Sequence, residues 1–175
     1  MPDAMPANPP STAEFRKLMG QFATGVCVVS LHTSQNSIAA MTINSFVSVS
    51  LEPMLVCWSL HNSSSQFDLF AKAEKFAVSI LSENQGDLAL RYAARGDTML
   101  SEGDFANSAG GLPYIAGSIG HFECQHWSSN PAGDHTMLLG EVVGMSAPPG
   151  ETPSDDASPS PLGFFNGQFC SIGKS

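Results

Sequence analysis

Residues 133–135 read Gly-Asp-His, directly ahead of the almost wholly apolar run TMLLGEVV. A carboxylate beside an imidazole can hold the ring in one orientation, as carboxylates do behind ligating histidines. Gly133 supplies the backbone freedom to aim the pair. His135 is therefore the first candidate functional residue, with a plain turn as the alternative. The other histidines are less marked. His32 and His61 border turns and are expected to be simply exposed. HFECQH puts Cys124 and His126 on one strand face and His121 and Glu123 on the other, too few on either for a metal site.

Two further stretches carry polar groups where a strand or helix would begin. In AAMTINSFVSVS (39–50), Thr42, Asn44, Ser45 and Ser48 interrupt a strand-like segment. Such an edge could hydrogen-bond a planar heterocycle such as a flavin ring, or it could be solvated. In HNSSSQF (61–67), three consecutive serines stand at an expected helix start. Hydroxyls, unpaired amides and the helix dipole would together favour an anion there, although ordinary capping needs no ligand. G-x-S-x-G, G-x-G-x-x-G after a strand and G-x-x-x-x-G-K-[ST] are all absent, so a serine hydrolase, a Rossmann site and a P-loop are unsupported.

The composition narrows the class. The 175 residues suit one domain with a sizeable core, and the net charge is −9 with only seven Lys and Arg. That balance lacks the basic footprint of a nucleic-acid or anionic-membrane binder. Charged residues are 13% of the chain, against about 25% in ordinary domains. A surface so poor in charge is expected to be covered in part by a second copy. Apolar runs are too short to span a bilayer, and the N-terminus has no basic-then-apolar leader, so a cytoplasmic protein is expected. The four cysteines are scattered and form neither a disulfide framework nor a zinc spacing.

The elements that must position these residues are mostly strands. Residues 1–10, with four prolines, read as a disordered tail, and a single domain is expected over 11–175. Ser11-x-x-Glu14 is a capping box, followed by Phe15, Leu18, Met19 and Phe22 at helical spacing, with an end near Thr24-Gly25. VCVVSLHT, IAAMTI, MLVCWSL and KFAVSIL read as strands, NSSSQFDLFAKAEK as a helix, and Ser82-x-x-Gln85 as a second capping box with Leu88, Ala89 and Tyr92 inward. Residues 96–113 read as loop, and SAPPGETPSDDASPSP (146–161) as an exposed acidic loop, with SIGHFECQHW, HTMLLGEVVGM and LGFFNGQFCSI as β segments. This order does not alternate β-α-β-α, which favours an antiparallel barrel with helical excursions over a parallel sheet.

Taken in order, FRKLMGQFATGVCVVS, AAMTINSFVSVSLEPMLVCW, NSSSQFDLFAKAEKFAVSIL, LALRYAARGD, GGLPYIAGSIGHFECQ, AGDHTMLLGEVV and LGFFNGQF resemble the flavin reductase-like family of FMN-binding split barrels. The resemblance covers about residues 14–170. It implies a mainly β, homodimeric, six-stranded antiparallel Greek-key split β-barrel with inserted helices and flavin near the subunit interface. It assigns Met41, Thr42, Asn44, Ser45 and Ser48 to the isoalloxazine, Ser59, Asn62, Ser64 and Ser65 to the ribityl chain and phosphate, and His135 to the incoming nicotinamide. The implied reaction is hydride transfer from NADH or NADPH to FMN or FAD, with reduced flavin supplied to a partner monooxygenase. A tightly held FMN acting on a small substrate and a non-catalytic flavin-binding protein are the alternatives. A site without arginine leans towards NADH, because the additional phosphate of NADPH calls for one.

Overall fold

The structure, a computed structural model, describes residues 10–33, 37–93, 103–147 and 159–173. The proposed tail up to residue 9 and most of the acidic loop lie outside the described residues. Ser11 and Glu14 close their capping box: the Ser11 Oγ accepts from the Glu14 amide and the Glu14 carboxylate accepts from the Ser11 amide, opening α1 (Thr12–Met19). The helix stops at Gly20, whose amide donates to the Arg16 carbonyl. This is earlier than the spacing predicts, because Thr24–Gly25 is a short strand, β1, paired elsewhere.

From there the chain runs through β2 (Cys27–His32), β3 (Ile38–Ile43), β4 (Val47–Leu51), β5 (Met54–His61), α2 (Phe67–Ala71) and β6 (Lys75–Ile80). A 3-10 turn (Glu83–Gln85), opened by the Ser82–Gln85 capping box, leads into α3 (Gly86–Ala93). Then follow β7 (Phe105–Asn107), β8 (Pro113–Ile115), β9 (Gly120–Ala132), β10 (His135–Ser146), β11 (Leu162–Phe165) and β12 (Gln168–Ser171). The helix expected over NSSSQFDLFAKAEK shrinks to the five residues of α2. Serine side chains compete for backbone partners and favour turns over helix interior.

The main sheet has seven strands, not six, in the order β3-β2-β6-β9-β10-β5-β4, and its pairings are antiparallel. Its two edges are consecutive in sequence and joined only by residues 44–46. That link reaches about 14 Å when extended, whereas seven flat strands would set the edges about 28 Å apart. The sheet is therefore curled, with β3 and β4 facing across the gap rather than paired in a ladder.

Curling makes an inside and an outside, and both are covered. Inside, Trp58 is edge-on to Phe70 (5.8 Å, 86°) and Phe76 (6.1 Å, 71°), with Val29, Leu60, Val78 and Leu138 around them. Outside, α3 lays Ala89 and Tyr92 on Val26, Val28 and Ala40. This double burial is why CVVSLH lacks a polar alternation. The stretch expected to be loop holds β7, which forms a hairpin with β8 at and just beyond its end, and the main sheet hydrogen-bonds to β8. Ser30 Oγ donates to the Pro113 carbonyl (2.6 Å) and Ser79 Oγ accepts from the Ile115 amide (2.9 Å). Asn166 and Gly167, both at positive φ (50° and 78°), make the tight turn between β11 and β12.

Gly140 on β10 marks the closest approach in the core. A Cβ there would stand 2.6 Å from Phe76 Cζ and 3.0 Å from Cys124 Cβ. Gly140→Ala is expected to destabilise by about 1–3 kcal/mol through overpacking, read as a lower urea midpoint. An unchanged midpoint would show that the Phe76 ring yields freely. The cysteines give a second expectation. Burial pushes the Cys27 and Cys124 thiols up to about 12 and raises Cys57, while Cys170 is exposed. Only thiolates alkylate, so iodoacetamide under native conditions is expected to modify Cys170 alone and all four on unfolding. The folded thiols keep their protons where unfolded ones ionise, so stability falls as pH rises from 9.0 towards about 12.

Candidate functional site

The Gly-Asp-His sequence is the tip of the longest hairpin. Gly133 (φ 66°) and Asp134 turn the chain from β9 into β10, and His135 opens the second strand. β10 pairs along its other edge with β5, which sets His135 directly opposite His61. Asn62, the first residue beyond β5, stitches the two together. Its amide donates to the Asp134 carbonyl (2.9 Å), its Nδ2 donates to the Gly133 carbonyl (3.2 Å), and its Oδ1 accepts from Thr136 Oγ1 (2.8 Å). Asn62 is thus a structural clamp, with one donor and one acceptor of its side-chain amide engaged in shaping the turn.

Asp134 stands between two imidazoles. Its Oδ1 is 2.8 Å from His135 Nδ1, its Oδ2 is 3.9 Å from His61 Nε2, and the ring centroids are 4.8 Å apart at 71°. The hydrogen bond and charge of His135 hold the Asp134 carboxyl below its usual range. A carboxylate only accepts, so His135 carries its proton on Nδ1 and leaves Nε2 as an acceptor. His61 is set the other way: the Ser63 amide donates to its Nδ1 (3.0 Å), so the neutral ring carries its proton on Nε2. Ser63 Oγ also lies 2.9 Å from His61 Nδ1. This line of serine, histidine and aspartate is not a hydrolytic triad. The 3.9 Å gap to Asp134 is too long for a hydrogen bond, and the Ser63 amide already occupies the Nδ1 lone pair.

The corner after β3 meets the same region from the side. Ser45 Oγ accepts from the Ser59 amide (3.0 Å), and Ser59 lies two residues before His61 on β5. Asn44 and Ser45 are exposed, beyond the end of the strand. The remaining residues of that stretch diverge. Met41 pairs with Val29 and packs on the inner core, whereas Thr42 pairs with Val28 on the outer side, where its hydroxyl donates to the Ala89 carbonyl (2.8 Å). Strand alternation thus separates two side chains that the sequence groups together. Ser48 pairs with Val56 and faces away from Ser59. A recess of about 160 Å³ opens beside Thr42, Ile43 and Asn44, walled by Val26, Ala93, Phe164 and Phe169.

The serine run forms a turn rather than a helix start. Ser64 donates its amide to the His61 carbonyl, and its Oγ and carbonyl accept from the Gln66 and Phe67 amides. These bonds use most of the backbone donors expected to await an anion, leaving the Ser65 amide and the Ser64 and Ser65 hydroxyls as the groups on offer. The sequence missed His61 and Thr136. Nothing local marks either residue, because each acquires its partner across strands.

A curled antiparallel sheet with neutral hydrogen-bonding groups at its open corner, and an oriented imidazole pair beside them, defines a protein that binds and aims an organic molecule carrying the reactive atoms. The chain belongs to the flavin reductase like domain family, which matches residues 19–173. It is 38% identical over 159 residues to the FMN reductase (NADH) SmoA of Agrobacterium fabrum, covering 91% of this chain and 85% of that one. It is 32% identical to the NADH-dependent flavin reductase StyB of Pseudomonas fluorescens, over 89% of this chain and 86% of the other. Among solved structures it is similar to the NADH:FAD oxidoreductase SgcE6 of Streptomyces globisporus C-1027, solved with NAD and FAD fragments. There the TM-score is 0.83 at 30% identity, covering 97% of this chain and 98% of that one.

The tautomers are directly testable. Imidazole 15N resonances in the neutral-ring range are expected to report Nδ1–H for His135 and Nε2–H for His61. Asp134→Asn should release the His135 preference and leave that of His61. Because the Asp134 pKa is depressed from 3.8, its stabilisation holds above that value and is lost as pH falls through the lower folded one. A His135 signal indifferent to the substitution would remove Asp134 from its orienting role.

Proposed function

We propose that this chain is a cytoplasmic NADH-dependent flavin reductase that passes hydride from the dinucleotide to FMN or FAD and hands the reduced flavin to a flavin-dependent monooxygenase. The observation that carries this reading is the Gly133-Asp134-His135 turn, clamped by Asn62 beside the Ser45–Ser59 corner. The relatives support it: one is named an NADH-dependent FMN reductase, and another is named as the reductase component of a trigonelline monooxygenase from Acinetobacter baylyi.

The residues present fit such a ligand. Flavin, when bound, supplies the hydride-accepting ring, so the protein needs no nucleophile or acid–base pair of its own. Asn44 and Ser45 offer exposed polar groups to the ring edge, with the backbone around Met41 and Thr42 behind them. The hydroxyls of Ser64 and Ser65 would meet the ribityl chain and phosphate beside Ser59, whereas Ser48, on the opposite strand face, is turned away from them. His135, held by Asp134, orients the nicotinamide, and this positioning is the protein's main contribution to rate. Hydroxyl contacts to a phosphate are weaker than charge-assisted ones, which suits a flavin that leaves after reduction.

The curled sheet works in this reading as a split barrel within a homodimer. Two features support the dimer. Phe15, Leu18, Met19 and Phe22 along and just after α1 are 48–73% exposed, and Val47, Val49 and Leu51 project from the edge strand β4. Apolar surface on this scale marks a contact. No helix among the described residues is long and apolar enough to cross a membrane.

The reading predicts protein-dependent loss of NADH absorbance that requires added FMN or FAD. His135→Ala is expected to raise KM for NADH by about two- to tenfold, the worth of one hydrogen bond, with flavin affinity nearly unchanged. Inactivity with both flavins and both pyridine nucleotides would sink the reductase reading, and a collapse of flavin affinity at constant KM would reassign His135.

A further inference from the structure

We infer that His61 and His135 together read the carboxamide of the nicotinamide, His61 donating to its oxygen and His135 accepting from its nitrogen. The inference rests on the proposed NADH reaction and adds His61, which the sequence marks only as an exposed histidine beside a turn, as a second positioning residue.

Three observations lead to it. The rings are cross-strand partners with centroids 4.8 Å apart, so one small group can touch both. Both side chains are accessible, at 49% for His61 and 39% for His135, despite their fixed contacts. Their tautomers are opposite and each is set by the protein: the Ser63 amide fills Nδ1 of His61, and Asp134 accepts a hydrogen bond from the Nδ1–H of His135. The pair therefore presents one N–H donor and one bare nitrogen acceptor. The His61 Nε2–H is not consumed by Asp134, since 3.9 Å is beyond hydrogen-bond reach.

A primary amide is the complement of that pair, with one carbonyl acceptor and N–H donors side by side on a planar group. A carboxylate in its place would offer no donor to His135, and a ketone none either. Two contacts also fix the rotation of the ring, which a single imidazole does not. Asn62 and Thr136 keep the two strand ends in register, so the spacing of the rings is built into the hairpin.

Analogues of the oxidised dinucleotide separate the two contacts without turnover. The 3-acetylpyridine analogue keeps the carbonyl and loses the N–H donors, whereas the thionicotinamide analogue keeps the donors and weakens the acceptor. Calorimetric titration of FMN-saturated protein is expected to show NAD bound about fivefold more tightly than either analogue, the worth of one hydrogen bond. His135→Leu should erase only the acetylpyridine difference. His61→Leu should erase only the thionicotinamide difference, and His61→Gln, which keeps an N–H near the position of Nε2, should restore it. Equal binding of all three dinucleotides by the unaltered protein, or a thionicotinamide difference that survives His61→Leu, overturns the assignment. Either result alongside normal flavin-dependent NADH oxidation leaves the reductase reading standing, whereas absence of that oxidation removes the reading itself. If His61→Leu fails to fold, His61→Gln against the unaltered protein decides: a thionicotinamide difference kept in His61→Gln supports the donor role, and one that is lost overturns it.

Discussion

Three residues, Asn44, Ser45 and Phe46, join the two edge strands of the main sheet. A link so short is incompatible with a flat seven-stranded sheet, and the rest of the molecule follows from that constraint. The strands curl, which gives Trp58 an interior to fill with Phe70 and Phe76. Phe46 turns inward from the link onto Phe122 at 5.8 Å. Its neighbours Asn44 and Ser45 are left outside, and the Ser45 hydroxyl takes the Ser59 amide of β5. The same few residues thus close the curl and present the polar corner.

The site is built to orient rather than to react. Its strong contacts are internal: Asn62 bonds the β9–β10 turn through both ends of its side-chain amide, and Asp134 is engaged by His135. What remains outward is a small set of neutral donors and acceptors in fixed directions. Rigidity of this kind lowers the ordering cost of binding and is the form of catalysis available to a protein whose ligand brings the reactive atoms.

The scarcity of charge has a matching structural expression. The hydrophobic face of α1 contains no buried residue within its own chain, and β4 exposes Val47, Val49 and Leu51. An amphipathic helix derives most of its stability from packing its apolar stripe. α1 has a complete capping box and leaves that stripe exposed. The outer face of the sheet shows the opposite solution, in which α3 and the β7–β8 hairpin cover apolar residues from within the chain.

Local signals were legible. Both capping boxes, most strands of the main sheet and the Gly133-Asp134-His135 tip follow from residue types at short spacing, and the order of segments carried the family. Period-two alternation separates Cys124 from His121 and Glu123, and the structure puts Cys124 in the inner core with the other two buried on the opposite face. What the sequence could not contain was the identity of strand neighbours. Register across strands pairs His61 with His135 over a separation in sequence that no local pattern spans. It sends Thr42 to α3 while Met41 turns inside, and it makes the main sheet seven strands rather than six. The serine run likewise reads as a helix start until its own backbone bonds close it into a turn. Propensity and spacing act within a few residues, so they determined the elements and the candidate types. Which side chains share a site was decided by the curl of the sheet, because only closure of the strands sets their distances.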